Sequence, residues 1–215
     1  MSAPIGILGG TFDPVHFGHL RPALELLEEL GLAKMLLIPS QQPPHRPQPE
    51  ASPAQRLAML QQAVASEPRL VVDARELERD GPSYTVDTLR SLRAQWPDTP
   101  LCFCLGLDAF LGLPQWYNWR ELSNLAHLVV SHRPGWQLDS ETMSEELQHW
   151  LSAHRASSAS ELQDALAGKV WLQQVSQLAI SATGIREGIA AGYSARYLLP
   201  DPVWDYIQQQ QLYRP

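Results

Sequence analysis

The chain has 215 residues, of which 44% are hydrophobic and 18% charged, and this composition excludes disordered and fibrous proteins. The formal net charge of −7 argues against a nucleic-acid partner, because nucleic-acid-binding proteins spread Lys and Arg over one face. No apolar run approaches the roughly 20 residues that span a bilayer, and no basic leader precedes the first apolar segment. We therefore expect a cytoplasmic protein without a membrane partner.

Short apolar runs alternate with helical patterns along the chain, which is typical of a parallel sheet with helices on both faces. A chain of this length buries roughly 70% of its surface on folding, so it needs no disulfide or structural metal. The predicted fold class is α/β, a Rossmann-like doubly wound sheet in a single domain, with a small helical portion at about 180–215. Six runs are predicted to be strands: residues 4–8, 34–38, 69–73, 101–105, 127–131 and about 170–173.

Several helix ends carry chemical signals. Residues 52–55, Ser-Pro-Ala-Gln, combine a Ser cap, Pro at the first helical position and Gln three residues after the cap, so we predict that a helix follows. Residues 201–202, Asp-Pro, start the last helix in the same way. Residues 190–192, Ala-Ala-Gly, indicate a helix that ends on a left-handed glycine. Two segments are predicted to be irregular, the Pro-rich 39–53 and the polar 136–168. The second could still hold amphipathic helices, such as one over residues 145–154.

The two cysteines, Cys102 and Cys104, alternate along a predicted strand, so both thiols face the same side. We predict that they pack in the core as small apolar groups. A zinc site would need about four ligands, and the sequence has no second pair of cysteines to supply them. No metal site formed by protein residues is therefore predicted.

The strongest functional signal follows the first predicted strand, where residues 9–20 are Gly-Gly-Thr-Phe-Asp-Pro-Val-His-Phe-Gly-His-Leu. Adjacent glycines at a strand end let the backbone approach a ligand, and a helix that starts near His16 aims its free N–H groups at the same place. His16 and His19 are three residues apart on the first helical turn, so both imidazoles can project toward the mouth of the crevice. The pattern predicts a phosphate site.

Three other interpretations of this segment are possible. The histidines could be surface or core residues without a ligand, although the glycines before them make this interpretation weaker. They could bind a metal ion, but no carboxylate or cysteine nearby completes the ligand set. A dinucleotide-binding loop of the dehydrogenase type would need a third glycine at an offset where this chain has none.

Residues 9–19 resemble the signature of the nucleotidyltransferase superfamily, whose His-x-Gly-His motif corresponds to residues 16–19 here. The full segment is similar to that of bacterial nicotinate-nucleotide adenylyltransferases. The resemblance implies that ATP is a substrate and that Mg²⁺, bound through the ATP phosphates, is the cofactor. It places the following residues against ATP, the two histidines in a catalytic role: Gly9, Gly10, Thr11, Phe12, His16 and His19.

A second segment, residues 180–186 (Ile-Ser-Ala-Thr-Gly-Ile-Arg), resembles the closing Ile-Ser-Ser-Thr-x-Ile-Arg element of the same superfamily. The chain departs from that element at Ala182, which lacks the usual hydroxyl. Ser181 or Thr183 can cap a helix whose N-terminus offers N–H donors, with Arg186 beside them. Ordinary helix initiation is the alternative. The resemblance implies that Ser181, Thr183 and Ile185 contact ATP and that Arg186 is catalytic.

A third segment, residues 106–108 (Gly-Leu-Asp), follows the fourth predicted strand, where open parallel sheets bind ligands. Asp108 there could equally be a helix cap, but the resemblance implies that Gly106 and Asp108 lie against the adenosine half of ATP. The loop at residues 43–46, Pro-Pro-His-Arg, is similar to the Pro-Pro-His-Lys loop of the family. Arg46 keeps the positive charge of that Lys and adds a forked set of donors for phosphate.

Two further segments are assigned to the pyridine nucleotide. Residues 81–89 resemble the nicotinate-binding segment of the family, which implies that the backbone of Tyr84 and Thr85 at a helix start donates to the carboxylate. A capped helix without a ligand is the alternative. Core packing is the alternative for the aromatic residues 113–119, but the resemblance implies that their first Trp and its neighbour stack on the pyridine ring. The residues concerned are Trp116 and Tyr117, and Arg133 after the fifth strand is either a further substrate cation or a turn residue.

The reaction implied is transfer of AMP from ATP to nicotinate mononucleotide, with deamido-NAD and pyrophosphate as products. The acceptor phosphate attacks the α-phosphorus in line, and its second pKa of about 6 means that no general base is needed. Rival acceptors are nicotinamide mononucleotide and phosphopantetheine. A nucleotide sensor without catalysis is a rival of another class, although a sensor would not need both histidines. The sequence leaves monomer and homodimer open.

Overall fold

The computed structural model describes residues 2–41, 48–79, 81–133, 135 and 143–214. Its strands form one sheet with the order β3-β2-β1-β4-β5-β6, in which every neighbouring pair is parallel. All six lie within two residues of the predicted bounds, which confirms the α/β class. The strands are β1 (Ile5–Gly10), β2 (Lys34–Pro39), β3 (Leu70–Val72), β4 (Leu101–Gly106), β5 (His127–His132) and β6 (Val170–Gln174).

The strand order reverses beside β1, because β2 and β3 extend the sheet on one side of it and β4 to β6 extend it on the other. Open parallel sheets bind their ligands at the carboxyl ends of the strands where this reversal occurs. In this chain that edge consists of the ends of β1 and β4, at Gly10 and Gly106. The first and third motifs therefore start at neighbouring points of one crevice.

Two of the three helix-end signals are confirmed, whereas Asp201 lies in the first turn of the last helix and Pro200 is its N-cap, without a side-chain cap. Ser52 Oγ accepts the N–H of Gln55 at 3.3 Å, and Gly192 has a φ of +86° after the helix that ends at Ala190. Two turns of 3-10 helix, Leu113–Gln115 and Trp119–Glu121, follow the helix that ends at Leu111. None of the helices in the described ranges is both long and apolar enough to cross a bilayer. The helices are α1 (Phe17–Glu29), α2 (Pro53–Val64), α3 (Thr85–Gln95), α4 (Leu107–Leu111), α5 (Leu122–Leu125), α6 (Glu145–His154), α7 (Glu161–Asp164), α8 (Ala182–Ala190) and α9 (Asp201–Gln209).

The core has two layers, one on each face of the sheet. Helices α1, α2, α8 and α9 pack on one face, and α3 to α6 pack on the other. Strand β4 supplies both layers, since Cys102 and Cys104 belong to the first and Leu101, Phe103 and Leu105 to the second. Both cysteines are free and buried, as predicted. Burial raises the pKa of both thiols, that of Cys104 to about 12, so they remain protonated core groups.

Candidate active site

The turn after β1 brings backbone to the edge of the sheet. Phe12 takes a φ of +50°, which residues other than glycine rarely adopt, and its ring is buried. A Cβ at Gly10 would lie 2.9 Å from that ring, so only glycine fits there, whereas a Cβ at Gly9 would meet nothing within 4 Å. The open space for a ligand is therefore in front of Gly9. Phe12 can contribute to that space only through its backbone.

The two motif histidines lie together at the start of α1. His16 is the N-cap residue, and its backbone N–H donates to Nδ1 of His19 at 3.4 Å. The ring centroids of His16 and His19 are 3.8 Å apart, and the His19 ring also contacts Phe12 edge-on at 5.1 Å. His19 is half-buried, but His16 is only 4% exposed. His16 is thus more enclosed than the prediction of two projecting imidazoles supposed, and contact of both rings with phosphate stays a prediction.

The helix start at residues 180–186 packs against the histidine motif. A Cβ at Gly18 would lie 2.9 Å from the His16 ring and 3.1 Å from the carbonyl oxygen of Ile180, so these two segments meet across a glycine. Ser181 is the N-cap of α8, and its Oγ accepts the N–H of Gly184 at 3.1 Å. Ser181 rather than Thr183 therefore caps α8. Thr183 is exposed, and the side chain of Ile185 is 2% exposed in the core.

Arg186 on α8 joins the two motifs directly. Its Nη1 donates to the carbonyl oxygen of Asp13 at 2.9 Å, and its Nε donates to the carboxylate of Glu50 at 2.6 Å. Its side chain is 22% exposed, so the guanidinium reaches the surface of the crevice. A cation, the histidine pair and the N-terminus of α1 therefore converge on the turn after β1. Arg46 lies outside the described residues.

At the end of β4, Gly106 rather than Asp108 is the N-cap of α4. Asp108 lies exposed in the first turn of that helix. A Cβ at Gly106 would meet nothing within 4 Å, so the crevice is open at this strand as well. The carboxylate of Asp108 is therefore placed at the edge predicted for the adenosine half, and its contact with the ribose stays a prediction.

The two segments assigned to the pyridine nucleotide meet in the structure. Tyr84 is the N-cap of α3, directly before Thr85, and its ring centroid lies 4.8 Å from that of Tyr117, which is 54% exposed. Trp116 is half-buried and packs edge-on against Phe103 of β4. An aromatic surface thus flanks a helix N-terminus that has free N–H donors. Arg133 follows β5, where its Nε donates to Gln177, and its role as a substrate cation stays a prediction.

Known proteins resemble this chain over most of its length. A family model described as cytidylyltransferase-like matches residues 7–188. A protein of Aeromonas salmonicida named probable nicotinate-nucleotide adenylyltransferase is 54% identical over 214 residues, which cover 100% of this chain and 99% of the relative. This chain belongs to the nicotinate-nucleotide adenylyltransferase family. An Escherichia coli protein of the same name is 46% identical over 209 residues and 97% of each chain. The family resemblance inferred from the motifs is thereby confirmed.

Solved structures support the fold of this nicotinate-nucleotide adenylyltransferase family member. The Plasmodium falciparum nicotinic acid mononucleotide adenylyltransferase complexed with NaAD matches with a TM-score of 0.72, covering 99% of this chain and 98% of the other. The same protein complexed with APC matches with a TM-score of 0.71. Sequence identity is 16% in both cases, so these matches concern the fold alone.

Several buried polar atoms that have no partner among the described residues lie on segments at or next to the glycine turn. In the described ranges they belong to His16, Ser40, Gln41 and Arg56. Ser40 donates its N–H to the carbonyl oxygen of Gly10, so it sits beside the turn at the end of β2. Proteins leave few such atoms unsatisfied, and each needs an explanation. Their position at this edge of the sheet supports a polar ligand there.

The motifs assign no role to two charged residues of this edge, Arg56 and Asp13. Arg56 on α2 is 0% exposed, and its Nη1 donates to the carbonyl oxygen of Thr11 at 2.8 Å. Asp13 is 3% exposed and accepts the backbone N–H groups of Glu50 and Ala51. A signal for Arg56 was present, because it shares the helical spacing of the buried Met59 and Leu60 and thus falls on the apolar face of α2.

A third residue to which the motifs assign no role is the buried Glu76, which anchors the start of α3. Thr88 Oγ1 donates to its carboxylate at 2.6 Å, and burial raises the pKa of Glu76 although hydrogen bonds from Thr88 and Ser83 act in the opposite direction. Ser83 Oγ also accepts the N–H of Gln41 at 2.9 Å. The segment predicted to bind nicotinate is therefore fixed both to a buried carboxylate and to the loop after β2.

The enclosed His16 predicts acid sensitivity. Burial lowers its pKa from 6.5 to about 4, so the folded chain stays neutral at this residue while the unfolded chain takes up a proton. The contribution of the neutral His16 to the free energy of unfolding is complete above pH 6.5 and is lost as the pH falls toward 4. When the pH is lowered from 7.5 to 5.5, we expect the free energy of unfolding to fall by about 1.4 kcal/mol because of His16. Urea titrations at both pH values measure this loss.

The matched variant for that experiment is His16→Asn. Other titrating groups, including the buried His127, whose pKa is also lowered by burial, act equally in both proteins. The variant should therefore lose about 1.4 kcal/mol less than the wild type over the same pH interval. Equal losses in the two proteins would mean that His16 is protonated in the folded state at pH 5.5.

Proposed function

We propose that this chain transfers AMP from ATP to nicotinate mononucleotide and releases pyrophosphate and nicotinate adenine dinucleotide, in the cytoplasm where both substrates occur. The observation that carries the proposal is the convergence of His16, His19 and Arg186 on one backbone turn at the carboxyl end of β1. Both substrates are phosphate anions that repel each other. Holding them in contact needs a local set of donors and cations in a chain whose net charge is −7.

The chemical step in this proposal is an in-line displacement. An oxygen of the acceptor phosphate forms a bond to the α-phosphorus of ATP as the bond to pyrophosphate breaks. The acceptor phosphate is mostly ionised at neutral pH, its second pKa being about 6, so no residue has to remove a proton from it. Since burial keeps His16 neutral, the positive charge at the phosphates comes from Arg186 and from the N-terminus of α1.

Mg²⁺ fits this site as part of the ATP substrate. It prefers oxygen ligands, and the described residues that line the turn offer imidazole, guanidinium and backbone N–H groups. The carboxylate of Asp13 is already engaged by the backbone N–H groups of Glu50 and Ala51. In the described ranges, no group of three or more His, Cys, Asp and Glu side chains could hold a metal ion. A metal ion held by triphosphate oxygens would supply further positive charge at the transferred phosphoryl group.

The acceptor in this proposal lies toward β4 and α3. The exposed ring of Tyr117 beside Tyr84 offers a flat face to the pyridine ring, and Trp116 borders the same surface. The N–H groups at the start of α3 suit an anionic substituent on that ring, which is why we place the nicotinate carboxylate there. A nicotinamide ring carries no such charge and would gain less from this helix N-terminus.

One assay tests the proposed function. The purified protein is incubated with Mg²⁺, ATP and one acceptor at a time, namely nicotinate mononucleotide, nicotinamide mononucleotide or phosphopantetheine, and pyrophosphate release is followed. We expect the highest kcat/KM with nicotinate mononucleotide. A preference for either other acceptor would overturn the substrate assignment, and no release with any acceptor would favour a nucleotide sensor.

Glu50 should compete with ATP for Arg186. Its carboxylate accepts from Nε at 2.6 Å and is 56% exposed, so the ion pair can break and re-form in solvent. Such pairs contribute about 0–1 kcal/mol, so we expect Glu50→Gln to lower the KM for ATP by about two- to fivefold. Glu187→Gln, an exposed neighbour on α8, removes the same charge without touching Arg186 and should change that KM less. Equal effects of the two variants would refute competition.

A further inference from the structure

We propose that Tyr213 is a positioning residue of the phosphate site, which acts on Arg186 through the carboxylate of Asp13. The proposal rests on the proposed function, since it assigns Arg186 to the phosphates of ATP. Tyr213 follows α9, and its hydroxyl donates to Asp13 Oδ1 at 2.7 Å across a sequence separation of 200 residues. The hydrogen bond therefore connects the segment after α9 with the turn after β1.

The hydroxyl of Tyr213 is fixed in place by its surroundings. The side chain is 8% exposed and belongs to the core layer of α1, α2, α8 and α9. Its backbone has a φ of +61°, a left-handed conformation that residues other than glycine rarely adopt and that requires support from the surrounding structure. Burial and the nearby Asp13 charge raise the pKa of Tyr213, so it remains a donor at any working pH. The buried hydroxyl is thus placed to donate to Asp13 in the folded chain.

The Asp13 carboxylate needs this donor to keep its orientation. Oδ2 accepts the N–H of Glu50 at 2.8 Å, whereas Oδ1 accepts the N–H of Ala51 at 3.2 Å and the Tyr213 hydroxyl at 2.7 Å. Without the hydroxyl, Oδ1 would keep only its longer hydrogen bond in a buried site. A buried oxygen that lacks donors is costly, so the carboxylate would turn toward a neighbouring cation. Of the two nearby, Arg56 is buried and bonded to the Thr11 carbonyl, whereas Arg186 reaches the crevice.

The nearest exposed cation is Arg186. Its Nη1 lies 4.0 Å from Asp13 Oδ2 and donates instead to the backbone carbonyl of the same residue at 2.9 Å. Within the described residues its Nη2 makes no hydrogen bond and is available to a phosphate oxygen. A turn of the carboxylate would replace the carbonyl contact with a direct ion pair and draw the guanidinium away from the crevice. Tyr213 therefore keeps Arg186 directed toward the substrate.

The test is the exchange Tyr213→Phe, which keeps the packed ring and removes only the donor. We expect the KM for ATP to rise five- to twentyfold, while the KM for nicotinate mononucleotide stays within twofold. Tyr206→Phe on α9 is the control, because that partly buried ring packs against the same core layer. The control should leave both constants within twofold. Thermal unfolding of each variant verifies that it is folded.

A double-variant cycle separates positioning from general stabilisation. In an Arg186→Ala background, Tyr213→Phe should change the KM for ATP by less than twofold, because the residue through which it acts is gone. The proposal would be overturned if Tyr213→Phe changed the KM for ATP by the same factor in both backgrounds. It would also be overturned if the single variant Tyr213→Phe had the KM of the wild type. Calorimetric titration with Mg-ATP gives the same comparison as dissociation constants. If the wild type binds ATP but forms no dinucleotide, the proposed function fails while this cycle still decides the role of Tyr213.

Discussion

Replacing His19 with Ala is expected to lower kcat by about 10²- to 10³-fold, the effect that removal of one preorganised donor has on oxyanion stabilisation. His19 sits on the first turn of α1, where its ring contacts both His16 and Phe12 and its position is therefore fixed before substrate binds. In the proposed mechanism, its loss removes a group that stabilises the charge that develops during phosphoryl transfer. Pyrophosphate release at saturating ATP and nicotinate mononucleotide measures this kcat.

The matched control is His149→Ala on α6, an exposed histidine of the same size. It should leave kcat within twofold of the wild type. A thermal unfolding curve shows whether the His19 variant remains folded under the assay conditions. A folded His19→Ala protein with an unchanged kcat would remove this residue from the mechanism and leave the phosphate contacts to Arg186 and backbone groups.

Asp13→Ala is expected to lower the free energy of unfolding by about 3–5 kcal/mol, the usual result of removing one partner from a buried charged network. The change leaves Arg56, which is 0% exposed, without the carboxylate that interacts with its charge. It also leaves three donors without their acceptor, namely two backbone N–H groups and the Tyr213 hydroxyl. Since domains are stable by about 5–15 kcal/mol, this loss is a large part of the total.

Urea denaturation followed by fluorescence measures this loss, with the slope of the transition as a check on two-state unfolding. Asp201→Ala is the control, since that carboxylate is 66% exposed and pairs with Arg196 at the surface. Exposed pairs contribute about 0–1 kcal/mol, so the control should cost no more than that. Similar costs at both positions would mean that the Asp13 network does not support the fold.

The fold could be predicted because short sequence patterns mark its strands and its helix starts. Apolar runs located all six strands, and the spacing of Ser52 and Gln55 located the start of α2, because a reciprocal cap is a contact between near neighbours. The alternation of Cys102 and Cys104 placed both thiols on one face of the sheet. Each of these features depends on residues that are close in sequence.

The candidate site could be predicted only in part, because its remaining features depend on contacts between distant segments. The bond between Tyr213 and Asp13 spans 200 residues, and no local pattern indicates it. The enclosure of His16 results from the approach of the segment before α8, which the motif spacing does not contain. Phe12 and Ile185 belong to the family motifs, but both side chains are buried in the core. Motif membership thus identified the segments but not which atoms face the ligand.

Because Gly18 has no side chain, the histidine motif and the segment before α8 can approach each other closely in the candidate active site. The His16 ring and the Ile180 carbonyl would both lie about 3 Å from a methyl group at that position. The methyl group of an alanine there would clash with both groups and move α8 and its arginine away from the histidines. One added carbon atom would thereby separate two segments that we propose to bind anions and that are more than 160 residues apart in sequence.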